Sequence, residues 1–296
     1  NLNENRVVNT SVYSYWSFID TVGNSIKNPV DNYDQAKKDL DDLLDLKVKE
    51  RMISDVPLGA FLSGGYDSSL IVALMQKNSL NKIKTFSIGF HSAVHNEAEE
   101  AKEISNYIGT EHRELYVSDK ELIDTIYRLP SIYSEPFADS SQIPTVLLSD
   151  LTKSEVTVSL SGDGGDEIFG GYGRYFLGQQ VFNLLGKLPF PIRKSLKSTG
   201  LINNPLTRNI SNFFIGSLVS NFPQKFRKLN NLFDFRDESE LYEMLSTFKN
   251  NFLQEQLKQP LSSNDIWKTN MSYAEKAMMQ DTIDYLPGDI LKKVDQ

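Results

Sequence analysis

The chain has 296 residues, 40% of them hydrophobic and 24% charged, and a formal net charge of -8. That length and apolar content support a large folded core and exclude the disordered and fibrous classes, while the acidic balance argues against general attraction to nucleic acid or an anionic membrane. No cysteine occurs, so disulfides, Cys-ligated zinc and a cysteine nucleophile within the chain are excluded. The sequence shows no membrane-length apolar run, no signal-peptide core and no internal repeat, which makes the cytoplasm the expected compartment. It opens on Asn1 rather than Met and stops at "KKVDQ", and is read here as a piece of a longer protein.

Residues 1–30, "SVYSYWSFIDTVGNSIKNPV" among them, have no sustained period and read as an extended linker or lead-in strand. "DNYDQAKKDLDDLLDLKVKERM" carries apolar positions at helical spacing with early acids, which predicts an amphipathic helix capped near Asp31. "LGAFL" reads as a short strand buried on both faces, and "DSSLIVALMQK" as a helix capped near Asp67. "IKTFSIGF" follows as a strand and "NEAEEAKEISNYIG" as a helix closed by Gly109. "HRELYV" is a third strand, "DKELIDTIYRL" and "SSQIPTVLLSDLTK" are helices, and "EVTVSL" is a fourth strand.

Strands alternating with helices predict an α/β fold, a parallel twisted sheet with helices on both faces, over residues 31–173. From Arg174 to Gln296 strand-like runs give way to helical periods in "ELYEMLSTFKNNFLQEQL" and "WKTNMSYAEKAMMQDTIDYL", which predicts a mostly helical part. The basic "LPFPIRKSLKSTG" reads as a solvated surface loop, Trp16 and Trp267 as packing anchors, and the Tyr and Phe cluster from Phe169 to Phe176 as packing a loop onto the core. His91, His95 and His112 lack a metal-ligand spacing and read as surface or helix-start residues.

Chemistry concentrates in two loops. "LSGGYDSS" ends the first strand and opens a helix, so unpaired backbone amides and the helix dipole point at the occupant of the turn, most often phosphate. It fits neither G-x-x-x-x-G-K-[ST] nor G-x-G-x-x-G, yet it offers the hydroxyls of Ser63, Ser68 and Ser69, the glycines Gly64 and Gly65 and the carboxylate of Asp67. A carboxylate beside phosphates calls for a hard cation between them, which predicts a magnesium-chelated polyphosphate. About a hundred residues on, "SLSGDGGDEIFGGYGRY" repeats the architecture with Ser161, Gly162, Asp163, Gly164, Gly165, Asp166 and Glu167. Two such loops at carboxyl ends of parallel strands are expected to share one crevice.

"LSGGYDSS" is similar to the S-G-G-x-D-S loop of the ATP pyrophosphatases, and together with "SEPFADSSQIPT", "NEAEEAKEI", "SGDGGDEIFGGYGRY" and "YLPGDILKKVD" the chain from residue 33 to 296 resembles the synthetase domain of glutamine-dependent asparagine synthetases. The resemblance implies an adenine nucleotide alpha hydrolase-like, Rossmann-like core that uses ATP and magnesium to adenylate a carboxylate acceptor, after which ammonia displaces AMP to give an amide. It implies that Ser63, Gly64, Gly65, Asp67, Ser68 and Ser69 bind the phosphates, that Asp67 and Asp166 hold magnesium, that Leu62, Ile88, Ser161 and Gly162 meet the adenosine, and that Asp163 helps position the adenylate and ammonia. Asp67, Asp163 and Asp166 are thereby the candidate catalytic residues. Such enzymes take ammonia from an N-terminal glutaminase domain whose first residue is a catalytic Cys; with no Cys here, that domain is expected to lie outside this chain. Glu135, Asp139, Ser140, Ser141 and Gln142 are expected near the acceptor, and Lys292 and Lys293 either face phosphate or are solvated. Gln296 stands where relatives carry Arg, and a Thr-x-x-Arg arrangement that serves aspartate in some synthetases is not recognisable, so aspartate and another carboxylate such as a uronic acid both remain open. Two further readings stay open as well: a different ATP pyrophosphatase of the GMP- or NAD-synthetase kind, and a non-catalytic scaffold. A homodimer is among the assemblies open to the chain.

Overall fold

The computed structural model describes residues 11–91, 96–135, 139–198, 233–246 and 266–294. Four parallel strands form one sheet in the order β3-β2-β1-β4: β1 Leu58–Phe61, β2 Lys84–Phe90, β3 Glu111–Val117 and β4 Val158–Leu160. Their register pairs Ala60 with Thr85 on one side and with Leu160 on the other. The chain grows outward from β1 through β2 to β3, then returns to place β4 on the opposite side of β1. The carboxyl ends of β1 and β4 thus lie together at the point where the strand order reverses, where open α/β sheets leave a crevice.

Helix α1 spans Phe18–Lys27 and α2 Tyr33–Arg51. The helix α1 departs from the extended segment expected of residues 1–30: Ser17 accepts a hydrogen bond from the Asp20 amide and nucleates it, an N-cap that the missing period concealed. Trp16 in the same region is 61% exposed, with its ring centre 6.4 Å from that of Phe18, and is not the buried packing anchor expected. The helix α2 is capped by Asn32, one residue beyond the expected Asp31. After β1 comes α3, Tyr66–Lys77, whose N-cap is Gly65 rather than Asp67. Asp67 therefore lies inside the first turn, and its carboxylate is not consumed in capping.

Helices α4 (Ala98–Ile108, ended by the left-handed Gly109), α5 (Asp119–Ile126), the single turn α6 (Leu129–Ile132) and α7 (Gln142–Lys153) complete the crossovers. The sheet core gathers Ala60, Leu62, Val72, Leu74, Met75 and Ala101 with Val48 of α2; Val72 and Met75 are fully buried, worth about 1.5–3 kcal/mol each. His112 corrects its expected surface or helix-start position. It lies on β3, bonded through Nδ1 to Thr85 Oγ1 at 2.9 Å and through Nε2 to Ser87 Oγ at 3.1 Å. The parallel register sets His112 beside Thr85 on β2, and alternation puts Ser87 on the same face. His95 lies outside the described residues.

The remainder described is helical: α8 (Gly165–Phe169), α9 (Gly173–Leu185), α10 (Phe190–Ser198), α11 (Glu238–Ser246), α12 (Tyr273–Gln280), a π-helix over Asp281–Ile290 and a last turn, α13 (Leu291–Val294). The helix α10 replaces the surface loop expected of "LPFPIRKSLKSTG". Its Pro191 sits in the first turn, where proline is tolerated, and Arg193 is buried with its guanidinium 4.0 Å from the Phe235 ring centre. Trp267 anchors as expected, against Tyr242 and Tyr273. A second core joins Tyr175, Phe235, Leu241 and Tyr273, whereas Phe169 and Phe176 are more than half exposed and only part of the expected aromatic cluster packs. Part of "ELYEMLSTFKNNFLQEQL" and Gln296 lie outside the described residues.

Candidate functional site

Where β1 ends, Leu62 is still held to the sheet by its amide donating to the Phe86 carbonyl at 2.9 Å. The chain then turns through Gly64 at φ +85°, a left-handed conformation open to glycine without strain. Ser63 and Ser68 close the loop on itself: their hydroxyls are 3.0 Å apart, and the Ser63 amide donates to Ser68 Oγ at 3.2 Å. Ser69 donates back to the Gly65 carbonyl at 2.7 Å. The first-turn amides of α3 are left facing outward beside a positive helix end.

The β4 loop is laid directly onto that turn. A Cβ on Gly162 would stand 2.6 Å from the Ser68 nitrogen, and one on Gly165 would stand 2.5 Å from the Asp67 carboxyl carbon. Only glycine lets the two loops approach this closely. Gly164, at φ +92°, turns the chain into α8, and Asp166 in that short helix is near enough for its charge to act on Asp67. Burial first, and Asp166 second, push the Asp67 carboxyl above its ordinary value. An acidic pair set this close makes a site that favours a cation.

These loops form one wall of a cavity of about 890 Å³. Of the residues singled out in the sequence, Leu62, Ser63, Gly65, Asp67, Ser68, Ile88, Ser161, Gly162, Asp163 and Asp166 line it. Gly64 and Ser69 do not. Gly64 faces away from the cavity toward Glu100 and Ala101 of α4, and Ser69 turns its hydroxyl to the backbone of its own helix. The wall also contains Ser87, Phe90, Glu97, Thr145 and Lys293, to which the motifs gave no role or an open one. For Ser87 the available signal was its place one residue before Ile88 on a strand; for Thr145 it was the helix that begins after "ADSS".

Lys293 proves to be neither solvated nor paired like its neighbour. Its side chain is 9% exposed and donates to Asp139 Oδ2 at 2.9 Å and Ser141 Oγ at 2.7 Å, whereas Lys292 turns the other way and pairs with Glu135. Burial works to raise the Asp139 carboxyl, but the bonds from Ser141 and Lys293 outweigh it and hold the group below its ordinary value. Of the residues expected near the acceptor, Ser141 lines the cavity, Asp139 stands behind it and Glu135 is occupied with Lys292.

The π-helix that delivers Lys293 is anchored by Asp281. That buried carboxylate accepts from Arg174 Nε at 3.1 Å and from the hydroxyls of Tyr175 and Tyr242. Nearby, the buried Glu167 accepts from Tyr172 at 2.7 Å, and burial together with this bond pushes the Tyr172 hydroxyl far up.

Comparison with known proteins identifies the family. The sequence profile of the family described as asparagine synthase matches residues 39–296. Asparagine synthetase [glutamine-hydrolyzing] 1 of Bacillus subtilis is 32% identical over 271 residues, covering 89% of this chain and 40% of that protein. A Methanocaldococcus jannaschii protein is 39% identical over 196 residues, 62% of this chain and 36% of its own length, and asparagine synthetase B [glutamine-hydrolyzing] of Escherichia coli is 32% identical over 165 residues, 48% and 29% respectively. The chain thus spans less than half the length of each of these relatives. Because the profile matches most of the chain, a stretch that includes both interlocked loops and the helical turn carrying Lys293, the chain belongs to the asparagine synthase family.

Proposed function

We propose that this chain carries the ATP-dependent half of a glutamine-dependent amidotransferase, adenylating a carboxylate and passing the product to ammonia. An acceptor carboxylate oxygen attacks the α-phosphorus of ATP, the bond to the β-phosphate oxygen breaks, and pyrophosphate leaves. The nitrogen lone pair of ammonia then attacks the acyl carbon, the C–N bond forms as AMP departs, and one proton is released. No covalent bond to the protein is needed, so its contribution is positioning and electrostatics.

The observation that carries this reading is the contact of the two loops, which sets Asp67 and Asp166 together on the wall of a cavity large enough for a nucleotide and a small acid. The α3 turn, with Ser63, Gly65 and Ser68, is suited to the triphosphate, and Gly64 and Ser69 support its shape rather than its lining. Leu62, Ile88, Ser161 and Gly162 are assigned to the adenosine, and exposed Asp163 to the adenylate and ammonia.

Magnesium fits the donor set. Among the described residues no group of three or more acidic or imidazole side chains forms a cage, and magnesium usually takes only one or two carboxylates together with substrate phosphates. Asp67 and Asp166 would hold it, and when bound it supplies neutralising charge for the departing pyrophosphate. The relatives' names mark glutamine as the nitrogen source and aspartate as the acceptor to try first; the glutaminase that frees the ammonia is assigned outside this chain. No helix among the described residues is long and apolar enough to cross a membrane, and the need for ATP favours a cytoplasmic setting.

Calorimetric titration with ATP, with and without magnesium, tests the reading. Magnesium-dependent binding is expected in the unaltered protein and is expected to be lost in Asp67→Ala and in Asp166→Ala. Equal binding by all three proteins overturns the two-carboxylate site.

A further inference from the structure

Adenylation brings two anions, a triphosphate and a carboxylate, into one cavity. Four of the side chains that line it, Asp67, Glu97, Asp163 and Asp166, are themselves acidic, and among the described residues only one cationic side chain, Lys293, reaches the wall. Magnesium on Asp67 and Asp166 answers for the phosphates. It leaves unanswered how a carboxylate comes close to them against like charge.

The setting of Lys293 answers this. Two of its three N–H donors are taken by Asp139 and Ser141, and the third has no partner among the described residues. Ser141 and Lys293 face the cavity while Asp139 stands behind them, so the positive end of the pair points inward. A lysine buried only to hold two helices together would have no need to reach the wall, and its neighbour Lys292 satisfies that kind of role with Glu135 at the surface. The backbone agrees: Lys293 follows the π-helix Asp281–Ile290, a register shift that recurs at functional sites, and its carbonyl is tied down by the buried Tyr133 hydroxyl at 3.3 Å.

We infer that Lys293 is the residue that receives the acceptor's reacting carboxylate, with Asp139 and Ser141 as positioning residues that aim its ammonium into the cavity. This inference rests on the adenylating reading above. It assigns the acceptor site to the junction of α7 and α13, across the cavity from the phosphate loop.

The test is ATP–pyrophosphate exchange with L-aspartate, L-glutamate or D-galacturonate as acceptor, run beside calorimetry of magnesium-ATP binding. In Lys293→Met the acceptor KM is expected to rise on the order of 100-fold, the range for truncating one partner of a buried charge pair, while magnesium-ATP affinity stays within about 2-fold, a difference worth under roughly 0.5 kcal/mol. Lys293→Arg keeps the charge and is expected to restore part of the KM loss, and Asp139→Asn to raise KM less than Lys293→Met does. An unchanged KM in Lys293→Met overturns the assignment. So does an equal loss of magnesium-ATP affinity at an unchanged melting temperature, which would place Lys293 on the nucleotide. Where Lys293→Met melts early, Lys293→Gln and Lys293→Arg decide between the same outcomes. Exchange with none of the three acids, in unaltered protein that binds magnesium-ATP, instead overturns the adenylating reading itself.

Discussion

At the scale of single residues the site depends on what is missing from side chains as much as on what is present. Gly162 and Gly165 have no Cβ, and the space one would fill is taken by the Ser68 nitrogen and the Asp67 carboxylate. Gly162→Ala is therefore expected to push the β4 loop off the α3 turn, costing about 1–3 kcal/mol of stability as an overpacked contact. Its magnesium-ATP affinity is expected to fall at least about 10-fold, equivalent to roughly 1.4 kcal/mol. A denaturation curve and a titration on the same sample check both. Gly173, which has nothing within 4 Å of its missing Cβ, supplies the control, since alanine there meets no neighbour. The sequence showed these glycines as punctuation. It did not show which of them touches the other loop.

Two elements hold the site's far walls, and each makes a prediction. The π-helix is pinned through Asp281 by Arg174, Tyr175 and Tyr242. Removing that carboxylate leaves the partly buried Arg174 guanidinium without its acceptor, so Asp281→Ala is expected to cost about 3–5 kcal/mol, read as a lowered denaturation midpoint. The strand pair β2–β3 is linked by His112 between Thr85 and Ser87. Burial first, against the opposing pull of Glu114, lowers the imidazole below its ordinary value of 6.5. An unfolded chain then binds a proton that the folded one refuses. Stability is accordingly full above the unfolded value and is lost as pH falls below it through the folded one. Melting temperatures of the unaltered protein and His112→Gln, followed from pH 8 to pH 5, are expected to diverge in slope, with the variant flatter across the range where histidine titrates.

For the whole molecule, function follows from the strand order. Because β4 returns to the far side of β1, two loops about a hundred residues apart in sequence become one surface. If Asp67 and Asp166 share one metal, their effects cannot add. The Asp67→Ala/Asp166→Ala double variant is expected to bind magnesium-ATP no more weakly than either single variant, within about 0.5 kcal/mol. Additive losses in a double-mutant titration cycle would mean separate sites.

The sequence by itself determined the four strands, the helices between them, the two glycine-rich acidic loops and the family to which they belong, because these rest on local periodicity, turn chemistry and the spacing of residues along the chain. It misread α1, where one serine cap outweighed an absent period, and α10, where a buried Arg193 over Phe235 turned a basic stretch inward. The inward turn of Lys293 and the outward turn of Lys292 were equally beyond it: adjacent lysines are identical to a pattern, and which one faces the cavity depends on Asp139, Ser141 and Glu135, more than a hundred and fifty residues earlier. Tertiary structure decided those positions because a side chain's burial and charge partners are set by elements that sequence spacing does not bring together.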